Sequence, residues 1–111
     1  MDGLRGPIPR INGSMIQMNG GNVCCLVGKI QKASPNRELL TVVTSDNQIV
    51  NVSCGYGTFE VSQGYVELIV LVNADARLTA HSTTSYGEDF DLAYYNEAVV
   101  IAQQHSSLFG L

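Results

Sequence analysis

Positive charge is scarce in this chain. Arg5, Arg10, Lys29, Lys32, Arg37 and Arg77 are its six basic residues out of 111, and no two are adjacent. A protein that grips phosphates on its own ordinarily carries a basic stripe. With ten acidic residues and a net charge of −4, this one carries none. Strong autonomous nucleic-acid binding is disfavoured, and a weak basic edge at Lys29, Lys32 and Arg37 is what remains as candidate DNA contacts. Charged residues amount to only 14%, too few for a disordered acidic or basic tail. Cysteine is equally sparse: Cys24, Cys25 and Cys54 are odd in number and two are adjacent, which is no disulfide framework. The sequence has no C-x-x-C pair, and His81 and His105 are its two histidines. A four-ligand metal site is not expected, nor is any cofactor. Long apolar runs are missing too. Leu68–Val72 and Ala98–Ala102 are among the longest, far short of the roughly 20 residues that cross a bilayer. Pro7 and Pro9 break the N-terminal stretch, which lacks a signal-peptide core. A soluble, intracellular chain is expected.

What is present is a packed unit. At 111 residues there is room for one domain and one core; 45% of the residues are hydrophobic, and eleven glycines favour turns and bends over a helical array. Residues 1–12 read as an extended arm, interrupted by Gly3, Gly6, Pro7 and Pro9. Asn12 is positioned to cap a short helical turn through Met18, ended by Gly20 and Gly21.

From Val23 the period becomes strand-like. Val23–Ala33 places Cys24, Leu26 and Ile30 on one face and Lys29 and Gln31 on the other. Gly28, in mid-strand, permits a sharp bend. After the turn signal Ser34-Pro35-Asn36, strands are expected at Glu38–Thr44 and Gln48–Cys54, joined by Ser45-Asp46-Asn47. Residues 55–64 are irregular. Tyr65–Asn73 and Ala76–Tyr86 complete a set of five strands, which form either a small barrel or a sandwich.

The period then switches to 3.6. Asp91 is the expected N-cap, with Phe90 and Tyr95 spaced as a hydrophobic staple; acidic Glu88, Asp89 and Asp91 suit the positive end of the helix dipole. The helix is expected to run to about His105. Leu92, Tyr94, Tyr95, Ala98, Val99, Ile101 and Ala102 sweep roughly half of its circumference. Docking on one barrel uses an apolar stripe of only about 100°. Either the barrel covers all of this surface, or one edge packs on the strands and another meets partner chains.

Phe90-Asp91-Leu92 followed by Tyr95-Asn96-Glu97-Ala98-Val99 resembles the helix-entry signature of the replication protein A small-subunit family. Arg10-Ile11-Asn12-Gly13-Ser14-Met15 is similar to the family's N-terminal segment, and Val27-Gly28-Lys29-Ile30 to its first barrel strand. The resemblance extends from about Arg10 to Gly110. It implies a mostly β fold, a five-stranded OB-fold barrel with a C-terminal α-helix. The chain would divide into an arm (1–12), a barrel (13–87) and a partner-binding helix (88–111).

It also implies a three-helix bundle with the middle and large subunits, within a nuclear heterotrimer that coats single-stranded DNA in replication, repair and recombination. Leu92, Tyr95, Asn96, Val99 and Ala102 are the expected subunit-interface residues. The segment between the second and third strands is poorer in glycine and charge than the family pattern, and the chain ends soon after Phe109.

OB folds hold single strands by stacking bases on aromatics of the second and third strands. The first three strands as read here contain no Phe, Tyr or Trp. Tyr56 and Phe59, in the irregular segment, more often cover a barrel end than touch DNA. Three rival readings are an OB-fold scaffold of a telomere-capping trimer, an autonomous weak nucleic-acid-binding module, and an enzyme. The enzyme has only Cys54 with His81 as a thinkable nucleophile–base pair and is not expected.

Overall fold

A computed structural model describes residues 8–35, 38–54 and 63–108, with the side chains of Cys54 and residues 105–108 excepted. Strand β1 (Arg10–Ile11) leads through two 3₁₀ turns, Gly13–Met15 and Gln17–Asn19, to the long strand β2 (Val23–Ala33). Strands β3 (Leu39–Thr44), β4 (Ile49–Cys54), β5 (Tyr65–Val72) and β6 (Leu78–Gly87) follow, and then helix α1 (Leu92–Leu108).

The ring closes because β2 serves two neighbours. Its first half, Val23 to Lys29, pairs antiparallel with β5, and its second half, from Gly28 onward, pairs antiparallel with β3. Gly28 and Lys29 belong to both ladders. A Cβ on Gly28 would lie 2.5 Å from the Val43 carbonyl oxygen and against Val42 Cγ1, so only glycine lets the strand bend so close to β3. A bulge between Ile30 and Lys32 re-registers the second half. β3 pairs with β4, β4 runs parallel to β6, and β6 returns antiparallel to β5. Five strands thus form the closed OB-type barrel.

The interior follows from period-two alternation. Leu26, Leu40, Val42, Val52, Val66, Leu68, Val70 and Val72 are fully buried, and Cys24, Ile30, Leu78 and Ala80 join them. Each fully buried Val or Leu contributes about 1.5–3 kcal/mol relative to exposure, so this set is the main source of stability.

Two features differ from the sequence reading. Arg10 and Ile11 form a short strand pairing parallel with Cys25 and Leu26, where an extended arm without regular structure was expected; the Cys25 N–H donates to the Pro9 carbonyl at 2.9 Å. Asn12 does not cap the turn that follows it. Its Nδ2 donates to Asn96 on the distant helix and its Oδ1 accepts the Ser14 hydroxyl at 2.8 Å, which satisfies the buried amide at both ends.

Candidate functional site

The entry to α1 is built as its residues dictate. Asp91 Oδ1 accepts the Tyr94 N–H at 2.9 Å, a side-chain N-cap. Phe90 stacks obliquely on Tyr95, ring centres 5.9 Å apart, completing the staple. The same Phe90 ring meets Tyr65 at 5.8 Å and Tyr86 at 5.0 Å, so four aromatics, from β5, β6, the connection after β6 and α1, fix the helix against the barrel wall.

A polar cluster lies beside them. Glu67 accepts hydrogen bonds from the Tyr86 hydroxyl (2.7 Å), the Cys25 thiol (3.4 Å) and Arg10 (3.5 Å), while Arg10 also donates to the Tyr95 hydroxyl at 3.0 Å. The Tyr86 bond is the main influence holding the Glu67 carboxyl below its ordinary range. Burial, then the nearby Glu67, pushes the Cys25 thiol up to about 11. Burial also pushes Tyr95 up to about 12. These shifts favour a neutral thiol and phenol around one ion pair, a structural seam with no activated nucleophile. Arg10, Tyr86, Phe90 and Tyr95 line a shallow cleft of about 470 Å³ over it.

A second network ties three distant segments together. Asn96 Oδ1 on α1 accepts from Asn12 Nδ2 and from Ser45 Oγ, both at 2.9 Å. Asp46, in the β3–β4 turn, accepts the Gly13 and Ser14 N–H groups at 2.8 and 3.0 Å and the Thr44 hydroxyl at 2.6 Å. The N-terminal turn, the hairpin and the helix therefore share one latch.

These contacts decide how α1 divides. Val99 is only 2% exposed and belongs to the barrel core; Tyr95 and Val100 pack against that core, and Asn96 sits in the latch. Leu92 is half-buried. The opposite edge is open: Tyr94 is 69% and Ile101 52% exposed, and Ala98 and Ala102 beside them are exposed. Of the five residues expected at a subunit interface, the structure gives Val99, Tyr95 and Asn96 contacts to their own barrel and leaves Ala102 on the open edge, with Leu92 at the margin. Tyr94, Ala98 and Ile101 were legible as apolar but not as the free edge.

Of the candidate DNA contacts, Lys29 and Lys32 are exposed on β2, while Arg37 lies outside the described residues, as do Tyr56 and Phe59. Lys29 Nζ stands 5.6 Å from the Tyr65 ring centre. That aromatic comes from β5 and borders the strand face through its pairing with Lys29, a neighbour that sequence spacing cannot reveal. His81 is exposed; the Cys54 side chain lies outside the described residues.

A closed five-stranded OB barrel with a terminal helix, latched along one edge and apolar along the other, defines a scaffold-type OB-fold protein. The family model for replication factor A protein 3 matches residues 1–109, and the chain belongs to that family, the small subunits of replication protein A. It is similar to a chain in the structure of U. maydis replication protein A bound to single-stranded DNA, with 26% identity, a TM-score of 0.79, and coverage of 93% of this chain and 95% of that one. The telomere capping protein Ten1 from Saccharomyces pombe shares the fold at 14% identity and a TM-score of 0.67, over 88% of this chain and 99% of that one. A chain of the S. pombe Stn1–Ten1 complex does so at 12% identity and 0.66, over 90% and 95%.

Proposed function

We propose that the chain acts as the assembly subunit of a nuclear single-strand-binding heterotrimer, joining helices of the middle and large subunits in a three-helix bundle through α1. The observation that carries this reading is the split of the helix. One edge is committed to the barrel by Val99 and the Asn96 latch, while Tyr94, Ala98, Ile101 and Ala102 form an apolar ridge at i, i+4, i+7 and i+8 that the barrel leaves open. Small Ala98 and Ala102, flanking Ile101, let a second helix approach closely, as ridge-into-groove packing requires. Leu92, Tyr95 and Asn96 flank the ridge at the seam, and Val99 supports it from beneath.

In this reading single-stranded DNA is held mainly by the other subunits. The strand face here lacks stacking aromatics, so Lys29, Lys32 and Arg37 supply no more than phosphate contacts. The chain is not a catalyst, and the neutral Cys25 thiol accords with that. The telomere-capping alternative has support from shape alone, since those likenesses lie at 12–14% identity.

Co-expression with a replication protein A middle subunit, followed by size-exclusion chromatography, tests the proposal. Co-elution supports it. Co-elution with a telomere-capping partner instead, or with neither, overturns it.

A further inference from the structure

Another surface is left uncovered, on the barrel itself. The ladder registers set outward-facing residues of β2, β3 and β4 in rows. Lys29 lies beside Val43, and Val43 beside Ile49; Lys32 lies beside Thr41, and Thr41 beside Asn51; Leu39 lies beside Ser53. Ile49 is 62% and Leu39 43% exposed, with Val43 half-buried between them. Single exposed aliphatics are ordinary, but here Val43 and Ile49 are direct ladder partners about 5 Å apart, and Leu39 stands on the same face of the strand about 13 Å along it from Val43, so the three line one elongated patch.

Charge on this face runs against the rest of the molecule. The chain has ten acidic residues to six basic, yet β2, β3 and β4 contain no Asp or Glu and carry Lys29 and Lys32. Among the described residues most acidic side chains stand elsewhere: Glu67 on β5, Asp75 after it, Glu88, Asp89 and Asp91 before α1, and Glu97 within it. Of the two described acidic residues beside the face, Asp46 is turned into the latch with Gly13 and Ser14, and Glu38 lies just ahead of β3.

Aliphatic anchors rimmed by lysines complement a segment with a greasy face and carboxylates. A nucleic acid would need ring faces, and Tyr65, the aromatic at the border, is already engaged with Phe90. We propose that the outward face of β2, β3 and β4 docks an acidic amphipathic segment of another protein, its apolar side chains on Leu39, Val43 and Ile49 and its carboxylates toward Lys29 and Lys32. This is the helix-on-apolar-surface mode of peptide recognition with added charge selection. It goes beyond the assembly role and uses none of the α1 ridge.

The test uses the assembled complex with only this chain methyl-labelled. The probe is a synthetic peptide with Leu at i, i+3, i+4 and i+7 and Glu or Asp elsewhere, set against the same peptide with Lys for Glu and Asp, and against oligo-dT. Saturable shifts of the Leu39, Val43 and Ile49 methyls with the acidic peptide are expected, weakened about tenfold by Ile49→Ser and by the Lys29→Glu, Lys32→Glu pair. Complex assembly should be unchanged in both variants, so failure here is distinct from failure of the assembly reading. Silence with the acidic peptide, equal response to the lysine peptide, or a response to oligo-dT alone overturns the proposal.

Discussion

Replacing Asp46 with Ala removes the centre of the latch that joins the N-terminal turn to the β3–β4 hairpin. Three hydrogen bonds end on its carboxylate, from Gly13 N–H, Ser14 N–H and the Thr44 hydroxyl. Bonds to a charged acceptor contribute about 1.5–3 kcal/mol each. Asp46 is half-buried, so solvent screening lowers these values, and a loss of about 3 kcal/mol in all is expected. For a domain of this size that is about 15 °C in melting temperature.

A pH series separates charge from geometry. Burial raises the Asp46 carboxyl, but the Thr44 hydroxyl and the Gly13 and Ser14 amides outweigh it, so the folded value lies below the ordinary 3.8. A depressed folded value means the stabilisation is complete above the unfolded value and disappears as pH falls through the folded one. Thermal melts of wild type and Asp46→Asn should therefore differ at pH 7 and converge in strong acid. An Asp46→Ala melt within about 3 °C of wild type, or a wild-type–Asn gap unchanged from neutral pH into strong acid, would refute the latch.

Gly28→Ala should lower stability by about 1–3 kcal/mol, since its methyl meets Val42 and the Val43 carbonyl; chemical denaturation measures it, and an unchanged midpoint would contradict the bend. Cys25 should resist iodoacetamide at pH 8, with its alkylation rising only as pH nears its value of about 11; rapid labelling of the folded chain, located by mass spectrometry, would show the seam is open. Val99→Ala should cost about 2 kcal/mol through two lost buried methyls and the space left behind, seen as a lower melting temperature of the chain alone.

Local patterns were legible and long-range partnerships were not. Alternation along Gln48–Cys54 marked a barrel face because burial on a pleat has period two, whereas Tyr65–Asn73 was legible only as an apolar run whose alternate burial the structure supplies. Asp91 and the Phe90–Tyr95 staple were visible because capping acts within five residues. The Asn12–Asn96 bond joins positions 84 apart, and the Arg10–Tyr95 bond positions 85 apart, distances at which spacing carries no signal. For the same reason the two-residue strand β1 was invisible: its pairing comes from Cys25 and Leu26, not from its own composition. The helix showed its apolar width, but only the barrel contacts of Val99 and Asn96 say which edge the barrel leaves open.

That division is tested most directly by Ile101→Asp in the co-expressed three-chain complex, read by size-exclusion chromatography with light scattering. The charge falls on the open ridge, where Ile101 is half exposed. The chain should drop out of the complex while its own melting temperature shifts by less than about 3 °C. A full-mass heterotrimer carrying Asp at position 101 would contradict the account.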